Sequence, residues 1–269
     1  MKSDLISLSI NLRKRIIETS SKAKIPHLGS CLSCIDLLIY LYWEELEIDT
    51  NNPNNKDRDR FILSKGHGAP ALFQVLAEKN FFPIDDLKSF GKPGSYFHEH
   101  PPKPGLIPGV EAATGSLGHG LSMALGMAYA SSLKKRNYRT FVMLSDGECN
   151  EGTVWEAALL APNLNINKLT VIIDFNKWQA TGRSEEITKL QPLFQKWKSF
   201  GWDVYEINGH DFNDIKRGFD LSRNCTNKPS VIIANTVKGK GISFMEDNNN
   251  WHYRIPNEEE LQSALRELN

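Results

Sequence analysis

Asp146 and Asn176, thirty positions apart, bracket the stretch of this sequence richest in possible chemistry, LSDGECNEGTVWEAALLAPNLNINKLTVIIDFNKWQATG. An apolar run ends at Asp146, Gly147 follows, a helix is expected from near Glu151, and a second apolar run closes just before Asn176. That interval accommodates a strand end, a crossover helix and the next parallel strand. Both side chains would then stand at the carboxyl ends of strands, where open α/β sheets bind their ligands. An aspartate, an asparagine amide oxygen and a nearby backbone carbonyl are hard oxygen donors suited to magnesium or calcium, with phosphate oxygens completing the shell. A helix N-terminus beside Gly147 would turn N–H groups and partial positive charge toward an anion. The same residue types also end strands and open turns without binding anything, so the segment alone leaves both readings open.

Other residues invite similar weighing. In TGSLGHG, Gly115, Gly118 and Gly120 let the backbone approach a flat ligand or another backbone, and the small residues Ser122, Ala124, Gly126 and Ala128 suit close helix packing. Of seven histidines, His27 (KAKIPHLGS), His67 (SKGHG), His100 (EHP) and His252 (NWHY) fall in loops or beside glycine. Such places leave an imidazole free to hydrogen-bond a ligand. His210, in NGHD, reads as structural, and His119 has no assigned role. Cys31 and Cys34 form a C-x-x-C, but Cys149 and Cys225 are isolated, so no second ligand pair exists and buried thiols are expected.

Positioning these residues requires alternating strands and helices. Short apolar runs recur at 61–64, 140–145, 169–174, 203–207 and 230–237, and their continuous apolarity predicts strands buried on both faces. Helical periodicity marks 4–24 and 32–46, the latter with Leu37, Leu38, Leu41 and Tyr42 on one face. Further helix-length segments, GLSMALGMAYASSLKK, EGTVWEAALLAPNL and PLFQKWKSFG, lie between strands. The expected fold class is α/β, a parallel sheet with helices on both faces. TNNPNNKDRD reads as a loop, and the Pro/Gly-rich stretch from Gly91 to Gly109 is the longest irregular segment, a length more often functional than idle.

With 269 residues and 40% hydrophobic composition, one large domain spanning 1–269 is expected. Lys and Arg (32) balance Asp and Glu (32) with no long run of either sign, which points to neither a nucleic-acid nor an anionic-membrane partner. No stretch reaches the roughly 18 apolar residues of a membrane span and the N-terminus has no uninterrupted apolar core, so a cytoplasmic location is expected.

The stretch from Asp146 to Asn176 resembles the thiamine diphosphate signature, D-G-x(3)-E-G near its start and D-x-N near its end, and its E-G-x-V-W-E-A core is similar to transketolases in particular. DRDRFILSKGHGAPAL, PGVEAATGSLGHGLSMALGMA, FGWDVYEINGHD and ANTVKGKGISFMEDNNNWH resemble further transketolase segments in the family's order, covering nearly the whole chain. Ser145 stands where the signature has its first glycine, and His119 where the family has glutamine.

This resemblance implies the diphosphate-binding (PP) domain of a thiamine diphosphate enzyme. It implies that Asp146, Asn176 and the Trp178 carbonyl bind Mg2+ (or Ca2+), and that Gly147 and Glu148 adjoin the diphosphate. The backbone at Gly115, Ser116 and Leu117 would contact the aminopyrimidine and thiazolium. His27, His67, His100 and His252 would be active-site histidines, with His67 and His252 also touching the cofactor and His27 and His252 the proton acceptors. Glu151 and Glu156 would relay between active centres across a subunit interface. The implied reaction moves a two-carbon glycolaldehyde unit from a ketose to an aldose. The glutamate that activates the cofactor in transketolases lies in a further, pyrimidine-binding domain that this chain does not contain. A C-terminal transketolase subunit is therefore expected as partner, assembled as a dimer of heterodimers, with sugars or sugar phosphates as substrates. The alternatives are a related thiamine diphosphate enzyme subunit that uses a 2-oxo acid, resembling 1-deoxyxylulose-5-phosphate synthase or a dehydrogenase E1 subunit, and a non-catalytic cofactor-binding paralogue.

Overall fold

The computed structural model describes residues 2–269. Five parallel strands form one sheet in the order β1-β2-β3-β5-β4: β1 (Arg60–Leu63), β2 (Thr140–Ser145), β3 (Leu169–Phe175), β4 (Asp203–Asn208) and β5 (Ser230–Asn235). Register aligns Ser145 with Asp174 and Phe175 with Asn235, so the carboxyl ends of the central strands share one rim.

Because successive side chains of a strand point to opposite faces, each strand feeds two cores. Phe141, Met143, Ile172 and Ile232 join the first core, Val142, Leu144, Val171, Ile173, Val231 and Ile233 the second. The first core packs under α1 (Lys2–Ala23), α2 (Leu28–Tyr40), α3 (Ala69–Glu78), α8 (Phe212–Asn224) and α9 (Glu258–Glu267). The second lies under α4 (His119–Leu133), α5 (Gly152–Asn163) and α7 (Leu193–Ser199); α6 is a single turn, Ser184–Ile187. Helices thus cover both faces, as the alternating pattern predicts.

Two expectations need correction. The helix expected over 32–46 begins at Leu28, ends at Tyr40 and passes into a π-helical turn, Leu41–Glu45. Rather than burying one face, α2 is buried all round. Its polar residues are satisfied internally: Ser33 bonds Asp174 at 2.6 Å, and Asp36 takes the guanidinium of Arg13 and, at 2.8 Å, His210 Nδ1. The second correction concerns β4. As an edge strand it is only half-buried, Asp203, Val204 and Tyr205 being partly accessible and Glu206 exposed.

Both thiols of the C-x-x-C are free and buried, and burial pushes each up to about 12, so they behave as packing groups. His210 is structural, bonded on one side to Asp36 and accepting the Val237 N–H at 2.9 Å on the other. Among the described residues, no helix is long and apolar enough to cross a membrane.

Candidate functional site

The rim at the carboxyl ends of β1, β2, β3 and β5 gathers the candidate residues. Asp146 directly follows β2 and is fully buried. One of its oxygens, Oδ2, accepts the Ser184 hydroxyl at 2.7 Å; the other, Oδ1, is buried without a hydrogen-bond partner. Burial pushes this carboxyl up to about 7, against the Ser184 bond, which lowers it. A buried carboxylate oxygen with no partner is costly, and a cation is the simplest group that relieves it. Asn176, just past β3, is also buried; its Oδ1 accepts the Trp178 N–H at 3.0 Å and keeps a second lone pair. No cluster of three or more His, Cys, Asp or Glu suited to a metal occurs among the described residues. Carboxylate, amide and carbonyl oxygens are therefore the donors on offer, and they fit a hard divalent cation rather than a soft one.

Beneath them sits a pair that sequence reasoning passed over. Lys65 and Asp174 are both fully buried and paired, and Asp174 also accepts from Ser33 and, at 2.5 Å, from the Thr236 hydroxyl. Burial opposes both charges, but each partner outweighs it, raising Lys65 and lowering Asp174. Asn176 Nδ2 lies 3.5 Å from Asp174 Oδ2, so the aspartate of D-x-N anchors the asparagine beside it. A charged residue at the carboxyl end of each of two apolar runs, Lys65 after FILS and Asp174 in LTVIID, was the available signal.

Above this floor four histidines converge. His27 has its ring centroid 5.0 Å from His252, 5.4 Å from His67 and 6.2 Å from His100. Each comes from a different connection: His27 precedes α2 in a left-handed conformation (φ 69°), His67 lies in a 3-10 turn after β1, and His252 lies in another after β5. A bond of 2.8 Å from His27 N–H to the His252 carbonyl ties two of these together. His100 packs edge-on against Gly115, where a Cβ would come within 2.6 Å of its ring, while the neighbouring His98 turns to the Ser95 carbonyl at 2.7 Å. His100 is thus the member of that pair that faces the cluster.

Three of these rings, His27, His67 and His252, are kept neutral. Burial first, then the nearby His100, Lys238 and Lys65, brings His27 down to about 4. Burial and Lys238 bring His252 down to about 3, and burial carries His67 well below its usual value. Lys238, a second residue missed in the sequence, is fully buried and reaches His252 Nδ1 at 2.9 Å and Asn249 Oδ1 at 2.7 Å. Burial and Lys65 lower its amine to about 7. With Lys238 bonded to Nδ1, Nε2 is the ring nitrogen of His252 left free. The Nδ1 of His27 is buried without a partner.

The glycine loop lies between these groups. Gly66 leaves room for it, since a Cβ there would meet the backbone of Thr114 and Gly115 at 2.6 Å. Ser116 is exposed, and Gly115 and Leu117 are partly so. Glu148 is committed to this scaffold: its buried carboxylate bonds the Ser64 hydroxyl and the Gly118 N–H, the latter at 2.7 Å. Ser145, in the glycine position of the signature, uses its hydroxyl to accept the Glu148 N–H at 3.2 Å. α5 starts at Gly152 with Glu151 as its N-cap, where a helix was expected, but a 3-10 turn, Gly147–Asn150, intervenes, so no α-helix N-terminus stands beside Gly147. The Gln179 amide nitrogen, buried and unpaired, belongs to the side chain that packs beside Gly147. Glu151 and Glu156, at and inside the start of α5, are both exposed. His119 is exposed too, its Nδ1 within 3.3 Å of the Ser116 carbonyl.

The family described as "Transketolase, thiamine diphosphate binding domain" matches residues 7–268. The chain is 40% identical over 256 residues to one subunit of the apulose-4-phosphate transketolase of Phocaeicola vulgatus, covering 95% of this chain and 90% of that one. It is 39% identical over 257 residues to the 6-deoxy-6-sulfo-D-fructose transketolase subunit SqwG of Clostridium sp. (strain MSTE9), covering 96% and 93%. Among solved structures, the transketolase of Campylobacter jejuni superposes with a TM-score of 0.92 at 27% identity, over 100% of this chain and 43% of that one. The Leishmania mexicana enzyme gives 0.91 at 27%, over 98% and 41%, so the chain spans about two fifths of these solved proteins.

Proposed function

The chain belongs to the transketolase family, and from that membership we propose that it is the thiamine diphosphate-holding subunit of a two-chain transketolase. With a partner subunit it would transfer a two-carbon ketol unit from a ketose to an aldose acceptor. Residues 1–269 would form one domain, and the partner would bring the pyrimidine-binding domain and the activating glutamate. Support for a partner comes from the two relatives named as subunits, each matched over at least 90% of its length. Support for a heterotetramer comes from the exposed apolar residues Met123, Tyr129, Leu133, Leu159 and Leu160 on α4 and α5, beside Glu151 and Glu156 of the interface relay. The assembly would work in the cytoplasm, and the names of the relatives favour a specialised ketose over pentose phosphates at large.

In this reading Asp146, Asn176 and the Trp178 carbonyl hold Mg2+, or Ca2+, and through it the diphosphate. When bound, thiamine diphosphate supplies a nucleophilic carbon and an electron sink for breaking the C2–C3 bond of a ketose. The backbone at Gly115 to Leu117 gives its rings a flat wall. His27, His67, His100 and His252 orient the donor's hydroxyls. His27 and His252, neutral at physiological pH, take the C3 hydroxyl proton as the bond breaks and return it to the acceptor's carbonyl oxygen. Lys238 fixes which nitrogen of His252 is free for that task.

The observation that carries the proposal is the convergence of four histidines on the rim that also holds the unpaired oxygen of Asp146. Co-purified with its partner and given thiamine diphosphate and magnesium, the chain is expected to cleave ketose donors such as xylulose 5-phosphate and to leave pyruvate untouched. Turnover of pyruvate instead would move it among the 2-oxo-acid enzymes. Full-rate ketose turnover by this chain alone would remove the need for a partner.

A further inference from the structure

The hairpin that carries Trp178 is closed by an unusual set of surface contacts. Trp178 and Arg183 form an antiparallel bridge, and the Arg183 guanidinium lies 3.8 Å above the Trp178 ring. Asp247, from the connection after β5, accepts from Trp178 Nε1 at 2.8 Å and takes both guanidinium nitrogens of Arg183, at 2.7 and 2.5 Å. It does so from a left-handed backbone conformation (φ 54°), with its own N–H bonded to the Lys238 carbonyl at 2.8 Å. A second strut joins the same two segments, Asn249 Nδ2 to the Ala180 carbonyl at 3.1 Å, and Asn249 in turn receives Lys238.

An exposed ion pair contributes little to folding, and Asp247 is 54% exposed. A bidentate, stacked carboxylate at such a place, held in a backbone conformation uncommon for a non-glycine residue, calls for another explanation. The contacts join Asn176 and Trp178 on one side to Lys238 and His252 on the other. We propose that Asp247 is a positioning residue: with Arg183 it clamps the Trp178 hairpin to the histidine-bearing connection and so presets the amide and carbonyl oxygens that receive the metal–diphosphate. The proposal rests on the diphosphate reading above and adds to it the residues that fix its geometry.

Magnesium affinity in the presence of thiamine diphosphate, measured by calorimetry on the full chain alone and with its partner, tests this. Asp247→Ala should weaken magnesium binding about 10-fold, the effect typical of residues that orient metal ligands, while the ligand-free Tm moves by less than about 3 °C. Trp178→Phe, which keeps an aromatic ring and the carbonyl but loses the Nε1 bond, should fall between wild type and Asp247→Ala. Wild-type affinity in Asp247→Ala would overturn the clamp alone. A loss of affinity accompanied by a fall in Tm of about 10 °C would assign Asp247 to the fold and overturn it too. A wild type that binds no magnesium–thiamine diphosphate in either form would overturn the diphosphate reading, and the clamp with it.

Discussion

At the scale of single residues, the site is governed by the cost of burying charge. His27 is packed so that its ring gains nothing by protonation: it faces His67, His100, Glu99, His252 and Tyr253, with Lys65 and Lys238 behind. Glu99, the one carboxylate in this set, stands 3.8 Å from His27 Nε2 and is too exposed to reverse the effect. The sign of the pH dependence follows. Below about 6.5 the unfolded chain takes up protons on these imidazoles, while folded His27 and His252 refuse them down to about 4 and 3. The stability that depends on these neutral rings is therefore complete above pH 6.5 and is lost as pH falls toward 4. For His27 alone the loss approaches ~3 kcal/mol as an upper bound. Denaturant titrations between pH 7 and 4 should show a shallower decline in His27→Gln than in wild type. Identical slopes would mean that the ring is not desolvated as its packing indicates.

At the scale of elements, what the sequence made legible was whatever depends on continuous apolarity. All five strands fall where short β-branched runs predicted them, and Asp146 and Asn176 follow β2 and β3 as the interval between them required. What stayed hidden was polarity satisfied inside the molecule. Ser33 and Asp36 made α2 look amphipathic, although their partners come from β3, α1 and the segment before α8. Lys65 and Lys238 looked like ordinary loop lysines because their buried partners, Asp174 and His252, are 109 and 14 positions away. The four histidines were found by resemblance rather than by spacing, and no periodicity brings residues 27, 67, 100 and 252 together. The glycine loop gives a test at this scale. In Gly66→Ala the new methyl would push against Thr114 and Gly115 backbone, which has nowhere to retreat because Gly115 already abuts His100. Thiamine diphosphate affinity should fall at least 10-fold, with the destabilisation typical of overpacking, about 1–3 kcal/mol. An unchanged affinity would show that the 115–117 backbone does not form the wall assigned to it.

At the scale of the whole molecule, the buried ionisable groups and the histidine cluster of the candidate site gather on one rim while the helices on both faces serve to bury the sheet. The order β1-β2-β3-β5-β4 puts β3 in the middle, between β2, buried throughout, and β5, buried except at Asn235, and leaves the half-exposed β4 at an edge. This arrangement bears on timing as well as on position. Amides of a central strand exchange with solvent only when the whole domain opens, whereas an edge strand can fray on its own. Deuterium uptake should therefore be slowest over 169–175 and faster over 203–208; equal rates would contradict the layering. Asp174 and Asn176, at and just past the end of β3, would then be among the last residues to loosen. A chain that has lost its edge strand or its surface loops to a passing fluctuation would still hold these groups in place, so the cofactor would have no need to wait for each such event to heal.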